Sequence, residues 1–176
     1  AGGGWGAHRR SGFGLSLGAG RPGGLAICRP AAVSRARGVQ GRLVGSNGIT
    51  LDPAGHIVFT EHFNGRISRV DADGNRSVVV DAYEAQRLNS PNDLAYRSDG
   101  SLYFTDPDYG LPQPGDKELD VNGIYRLSPE GTLTRLADQP GPNGIAFSPD
   151  EARLYVADSS SGLWMVYEVA EDGTLN

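Results

Sequence analysis

The chain has 176 residues, enough for one sizeable core, a net charge of −5 and a single cysteine, Cys28. An internal disulfide is excluded, an acidic balance offers nucleic acid no basic face, and no run approaches the ~18 consecutive apolar residues of a membrane span. The first element is set apart by its charge. Residues 1–46 hold seven Arg, no Lys, Asp or Glu, and 13 of the 26 Gly; residues 47–176 hold the other nine basic residues and all 21 acidic ones, a balance of −12. Apolar periodicity is missing from residues 1–45, so this segment is expected to be disordered or non-native and to stand apart from the fold. An Arg-rich, acid-free leader also fits an organelle transit peptide. The only Met is Met165 and the sequence stops inside a repeat at Asn176, which favours a non-native leader on an incomplete copy.

From Asn47 onward one unit is written three times. The first copy runs Asn47-Gly-Ile-Thr-Leu51, turn Asp52-Pro-Ala-Gly55, strand His56-Ile-Val-Phe-Thr60, then Glu61. The second runs Asn92-Asp-Leu-Ala-Tyr96, turn Ser98-Asp-Gly100, strand Ser101-Leu-Tyr-Phe-Thr105, then Asp106. The third runs Asn143-Gly-Ile-Ala-Phe147, turn Ser148-Pro-Asp-Glu151, strand Arg153-Leu-Tyr-Val-Ala157, then Asp158. Third strands follow at residues 66–70, 123–127 and 163–167, then turns ending in Gly74, Gly131 and Gly173, then fourth strands at 77–80 and 132–136. Short strands rich in β-branched and aromatic residues across such turns predict four-stranded antiparallel meanders. A period of roughly 45–50 residues makes each meander one module, and such modules pack as blades of a β-propeller. The predicted fold is all-β, with about three blades near residues 47–90, 91–141 and 142–176.

In a meander the first strand starts on the rim where the second ends. Asn47, Asn92 and Asn143 therefore share a rim with Glu61, Asp106 and Asp158, with the linker Arg87-Leu-Asn-Ser-Pro91 and with the long loop 107–121. A loop of that length over a polar rim reads as a lid or a substrate-facing segment. Carboxamide and carboxylate oxygens suit Ca²⁺ or Mg²⁺ better than zinc, which calls for Cys and His at set spacings. An Asn at a strand start is equally able to cap its own turn.

Residues 87–94 (RLNSPNDL), 99–110 (DGSLYFTDPDYG) and 142–150 (PNGIAFSPD) resemble the senescence-marker-protein/gluconolactonase family, and 47–53 with Thr60-Glu-His62 resemble its gluconolactonase branch. The resemblance covers residues 46–176. It implies a six-bladed propeller with a divalent metal in its central pocket, usually calcium, with magnesium or zinc as alternatives. It implies hydrolysis of sugar lactones, with ester- and phosphotriester-hydrolysing relatives, and a small-molecule partner rather than nucleic acid or membrane. By motif, the metal ligands map to Asn92 and Asn143. Asn47, Glu61, His62 and Asn89 are expected to face substrate, and Asp93 to hold backbone or orient the Asn92 ligand from behind. The family's first-blade Glu has no counterpart before Glu61, and its fifth-blade Asp, ligand and catalytic base, is expected beyond Asn176. The other reading is a non-catalytic propeller that serves as an interaction module. Compartment and oligomeric state are left open, with the cytoplasm favoured.

Overall fold

Strict alternation of side chains across short strands gives each sheet two usable faces, and here both are used. The structure, a computed structural model, describes residues 45–111 and 113–176; the expectations attached to residues 1–44 lie outside them. Thirteen strands form the described chain. The first sheet is β1 (Ser46–Leu51), β2 (Ile57–Glu61), β3 (Arg66–Val70) and β4 (Arg76–Val80), antiparallel in that order. A two-stranded ribbon follows, β5 (Ala82–Tyr83) with β6 (Gln86–Arg87). The second sheet is β7 (Leu94–Tyr96), β8 (Leu102–Asp106), β9 (Gly123–Leu127) and β10 (Leu133–Asp138). The third sheet has β11 (Pro142–Phe147), β12 (Arg153–Asp158) and β13 (Leu163–Glu168); after it Val169 and Leu175 make one further antiparallel bridge. Helix is confined, among the described residues, to the 3-10 turns His62–Asn64 and Pro114–Asp116. The all-β meander expectation holds for the first two units; the third is three-stranded.

The first strands of neighbouring sheets lie together, β1 against β7 and β7 against β11. The middle sheet sends alternate residues each way. Leu94, Leu102, Phe104 and Tyr125 pack with Val58, Ile67 and Val80 of the first sheet. Tyr103 and Ile124 pack with Ile145, Leu154 and Val156 of the third, and the Tyr103 and Phe147 rings meet edge-on at 4.9 Å. Each such side chain contributes roughly 1.5–3 kcal/mol by leaving water.

On the rim opposite the Asn residues, acidic side chains close the turns. Asp52 Oδ1 accepts from the amides of Ala54 (2.9 Å) and His56 (2.8 Å), and Asp71 Oδ1 from Asp73 (3.0 Å) and Asn75 (2.8 Å). Glu151, with φ 57°, occupies the left-handed turn position held by Gly55 and Gly100 in the other units. Its carboxylate accepts from Ser98 N (2.8 Å) and Ser98 Oγ (2.6 Å), joining the third sheet to the second.

Candidate functional site

Asn92 and Asn143 are each positioned by the sheet before them. Thr60 Oγ1, near the end of β2, donates to the Asn92 carbonyl at 2.9 Å, and Gly48 N donates to the same oxygen at 2.7 Å. The relation repeats one sheet on, where Thr105 Oγ1 donates to the Asn143 carbonyl at 2.7 Å. Asn92 N donates to Thr105 O at 2.8 Å, which completes a continuous path Thr60–Asn92–Thr105–Asn143 along one rim. The structure thus brings Asn92 and Asn143 onto neighbouring strand starts of one rim. Asn47, at the equivalent place in the first sheet, is exposed, with its backbone N–H donating to Thr60 Oγ1 at 3.3 Å.

Asp93 is a clamp between sheets. Its Oδ1 accepts from Leu94 N at 2.9 Å and its Oδ2 from Ile145 N at 3.0 Å, so one carboxylate fixes the start of β7 and reaches β11. Gly48 approaches from the other side: a Cβ there would meet Asp93 Oδ1 at 2.6 Å and Asp93 Cα at 2.7 Å. Backbone cannot step aside for a methyl group, so glycine is what lets the first sheet close on the second.

The long loop, which has no strand between β8 and β9, folds back over the rim. Its Gly110 lies flat on the His62 imidazole, leaving no room for a side chain, and Gly110 N donates to Ser90 Oγ at 3.1 Å. His62 is buried, with Nδ1 3.2 Å from the Pro91 carbonyl. Burial lowers its pKa against the opposing effect of the Pro91 and Ser90 backbone acceptors, so the ring is neutral at pH 7. Tyr109 stands beside it, ring centroids 5.6 Å apart, and its hydroxyl reaches Pro142 O at 3.4 Å and the Asn143 side chain. Burial of that hydroxyl, with the Asp93 charge adding to it, pushes its pKa up to about 12. Ser159 Oγ takes the amide end of Asn143 at 2.9 Å. Tyr109 and Ser159 were missed by the sequence reading. Tyr109 had a signal, since it sits in the quoted 99–110 stretch; Ser159 had none, because only the fold brings it to Asn143.

Two residues expected to face substrate are engaged inside the fold. Glu61 is buried, its carboxylate bound by Arg66 Nε (2.9 Å), Asn64 Nδ2 (2.5 Å), Ser68 Oγ and Arg76 Nη2. It closes the end of the first sheet because β3 and β4 bring two guanidinium groups onto it. Asn89, within the linker, is fully buried; its side-chain amide donates to Val121 O at 3.0 Å and its backbone N–H to Asp106 Oδ2 at 2.9 Å. Asp106 is itself buried, and desolvation outweighs the Asn89 and Ser90 amides to push its pKa up to about 7. Asp158 accepts from the amides of Gly141, Ser160 and Ser161, which together outweigh desolvation and lower its pKa.

The donor set can be tested against a metal. Asn92 is buried, yet its carboxamide makes no hydrogen bond with any described residue, while its backbone N–H and carbonyl are both satisfied. The fully buried side-chain oxygens left without a partner among the described residues include Asn89 Oδ1 and Asp106 Oδ1 but no atom of Asn92, so the Asn92 carboxamide opens from the packed interior onto the rim, as a ligand-facing group does. Two neutral oxygens on adjacent strand starts suit a hard cation and form part of a 6–8-oxygen shell, not all of it. No group of three or more His, Cys, Asp or Glu converges among the described residues. A cleft of about 490 Å³ is lined by Phe63, Asn64, Arg87, Gly115, Asp116 and Glu118; it shares none of its lining with Asn92, Asn143, His62 or Tyr109.

Comparison with known proteins agrees with the motifs. The model of the SMP-30/gluconolactonase/LRE-like region matches residues 27–176, beginning inside the Gly/Arg-rich segment. A gluconolactonase of Zymomonas mobilis is 44% identical over 142 residues, which are 76% of this chain and 40% of that protein. A lactonohydrolase of Aspergillus oryzae is 32% identical over 51% of this chain and 21% of its own length. The solved gluconolactonase of Xanthomonas campestris, 41% identical, superposes with a TM-score of 0.69 over 76% of this chain and 47% of that one. A virginiamycin B lyase from Staphylococcus aureus, 20% identical with a TM-score of 0.54, shares the fold alone. The chain spans less than half the length of each of these relatives. No helix among the described residues is long and apolar enough to cross a membrane. With matching motifs, matching sheets and a family model over most of its length, the chain belongs to the SMP-30/gluconolactonase/LRE-like family.

Proposed function

We propose that this chain carries part of the site of a metal-dependent lactone hydrolase built on a six-bladed propeller, with three blades described here. The observation that carries the reading is the Asn92 carboxamide, without a hydrogen-bond partner among the described residues and open on a rim it shares with Asn143. Relatives named for lactone hydrolysis support the substrate class. A small sugar lactone or related ester is the proposed partner, and calcium the proposed ion, ahead of magnesium or zinc because the donors are hard neutral oxygens.

Asn92 and Asn143 hold the ion in this reading. When bound, it supplies Lewis-acid polarisation of a lactone carbonyl and stabilises the charge that develops there. The chain's own residues do the positioning. Thr60 and Thr105 fix the two Asn backbones, and Asp93 fixes the strand start between them. Neutral His62, Tyr109 and exposed Asn47 line the approach for substrate hydroxyls. Asp93 serves backbone amides and Glu61 serves arginines, and Asp106, with Oδ1 unpartnered, is buried beneath the Asn89 amide rather than beside the Asn pair. The general base is therefore assigned to no residue of this chain, and the chain alone is expected to turn over lactone no faster than buffer.

Calorimetric titration of the 176-residue protein with calcium tests the ligand assignment. Two neutral donors predict a dissociation constant of about 10⁻⁴–10⁻³ M, with the heat abolished in Asn92→Ala. Micromolar affinity, or equal heats in the variant, overturns it. In a chain of its relatives' length that retains residues 45–176, sugar-lactone hydrolysis is expected to need calcium and to fall by about 10²-fold in Asn143→Ala, on the scale of losing one preorganised electrostatic contact. Calcium binding without turnover in that protein favours the non-catalytic interaction module instead.

A further inference from the structure

Asp106, at the end of β8, and Asn89, in the linker, touch in the packed interior, and each keeps one side-chain oxygen without a donor. Asn89 N donates to Asp106 Oδ2 at 2.9 Å, and the Ser90 backbone N–H serves the same carboxyl. The Asn89 carboxamide cannot be turned round, because its Nδ2 faces three acceptors: Val121 O (3.0 Å), Asp106 O (3.4 Å) and Asn122 Oδ1 (3.4 Å). Asp106 Oδ1 and Asn89 Oδ1 are left fully buried with no hydrogen-bond partner among the described residues. Acceptors on touching residues, out of water and without a donor, are costly.

The charges around them are engaged elsewhere. The Arg87 guanidinium donates to the carbonyls of Phe63, Leu88 and Asn89, and Arg87 N donates to Glu118. Lys117 Nζ donates to Asp108 Oδ2 (2.9 Å) and Asn122 Oδ1 (3.1 Å). On β9, Gly123 pairs with Asp106, and the Tyr125 ring lies against Gly123 and beside Tyr83. Arg135 and Asp138 of β10 act on the Tyr125 hydroxyl, and His62 packs on Pro91 across the linker.

We infer that Asp106 carries a proton in the closed molecule, that this proton is the donor its contact with Asn89 requires, and that its loss releases the linker from the long loop. The acid sits where both ends of that loop are tied down. Ser90 Oγ donates to Pro107 O and accepts from Gly110 N, while Asn89 holds Val121 and Asn122. Asn92 lies two residues beyond Ser90, so solvent pH reaches the Asn rim through this latch. Desolvation, against the two amides, Arg87 and Lys117, brings ionisation in the closed state to about pH 7, above the ordinary 3.8. Closure is therefore favoured at low pH and weakens as the pH rises between those values. The inference is independent of the lactonase reading.

Carboxyl-carbon NMR of the 176-residue chain tests the protonation. One Asp carboxyl is expected to titrate near pH 7 and to be missing in Asp106→Asn, whose amide supplies an N–H where the acid has its O–H. The parent's titration decides this point even where the variant fails to fold. Amide exchange tests the release. One proton lost on opening makes the opening constant, read at Asn89 and Gly110, rise about tenfold per pH unit from about pH 5 to 7 and level off above. Asp106→Asn keeps every histidine and is expected to lack that rise once intrinsic exchange is divided out. Every Asp carboxyl titrating in the ordinary carboxylate range, a flat opening constant in the parent, or the same rise in the variant each overturns the proposal.

Discussion

A carboxylate removed from water survives as an ion only where cations and donors replace the water, and Glu61 shows how many are needed. Burial raises its pKa, but Arg66, Ser68, Arg76 and Asn64 outweigh that and lower it to about 2. A folded-state pKa below the unfolded 4.5 means the stabilisation is fully present above pH 4.5 and is lost as the pH falls toward 2. Glu61→Gln leaves two guanidinium groups facing one neutral amide. It is expected to cost about 3 kcal/mol in urea unfolding at pH 7, with the gap to the parent narrowing below pH 4.5. A gap independent of pH sinks the assignment. The sequence shows Glu61 and Arg66 five residues apart, which is enough to expect an ion pair but not its burial. Arg76 reaches Glu61 only through the register of β3 on β4, and register across a third strand is not written in local spacing. Tyr109 is the same kind of case: its motif is visible, its contact with Asn143 depends on how a long loop returns.

At the scale of elements, the strands were legible because turn chemistry and apolar alternation agree in each unit. Asp52-Pro-Ala-Gly55 and Ser98-Asp-Gly100 announce reversals, and the strands on either side pair where the pattern places them. The β5–β6 ribbon was not legible. Its two-residue turn is Glu84-Ala85, both at positive φ (50° and 64°), where sequence reading looks for Asn-Gly. Left-handed backbone costs roughly 1–2 kcal/mol at each non-glycine residue. Glu84→Asn with Ala85→Gly keeps the turn and removes most of that strain. A gain of about 1–2 kcal/mol, seen as a rise in Tm of several degrees, is expected; an unchanged or lower Tm argues that the turn is held by its neighbours instead.

Across the whole molecule, the first and third sheets share no core cluster, and both clusters pass through the second sheet. Stability is then carried by nearest-neighbour interfaces. Val156→Ala, in the cluster between the second and third sheets, is expected to cost about 1–3 kcal/mol and to speed amide exchange in β11–β13 well before β2–β3. Equal acceleration everywhere means the stack unfolds as one unit. The fastenings between sheets are also unequal. The second and third are joined at both rims, by Thr105 to Asn143 and by Ser98 to Glu151. The first and second are joined at the Asn rim by Gly48 and Thr60, while the Asp52–Gly55 turn makes no side-chain hydrogen bond to the second sheet among the described residues. Thermal breathing between the first two sheets therefore acts as a hinge with its axis at the Asn rim. Opening at the far edge is then expected to leave the spacing of the Asn-bearing strand starts unchanged, so that motion between these two sheets is decoupled from the place where a ligand would feel it.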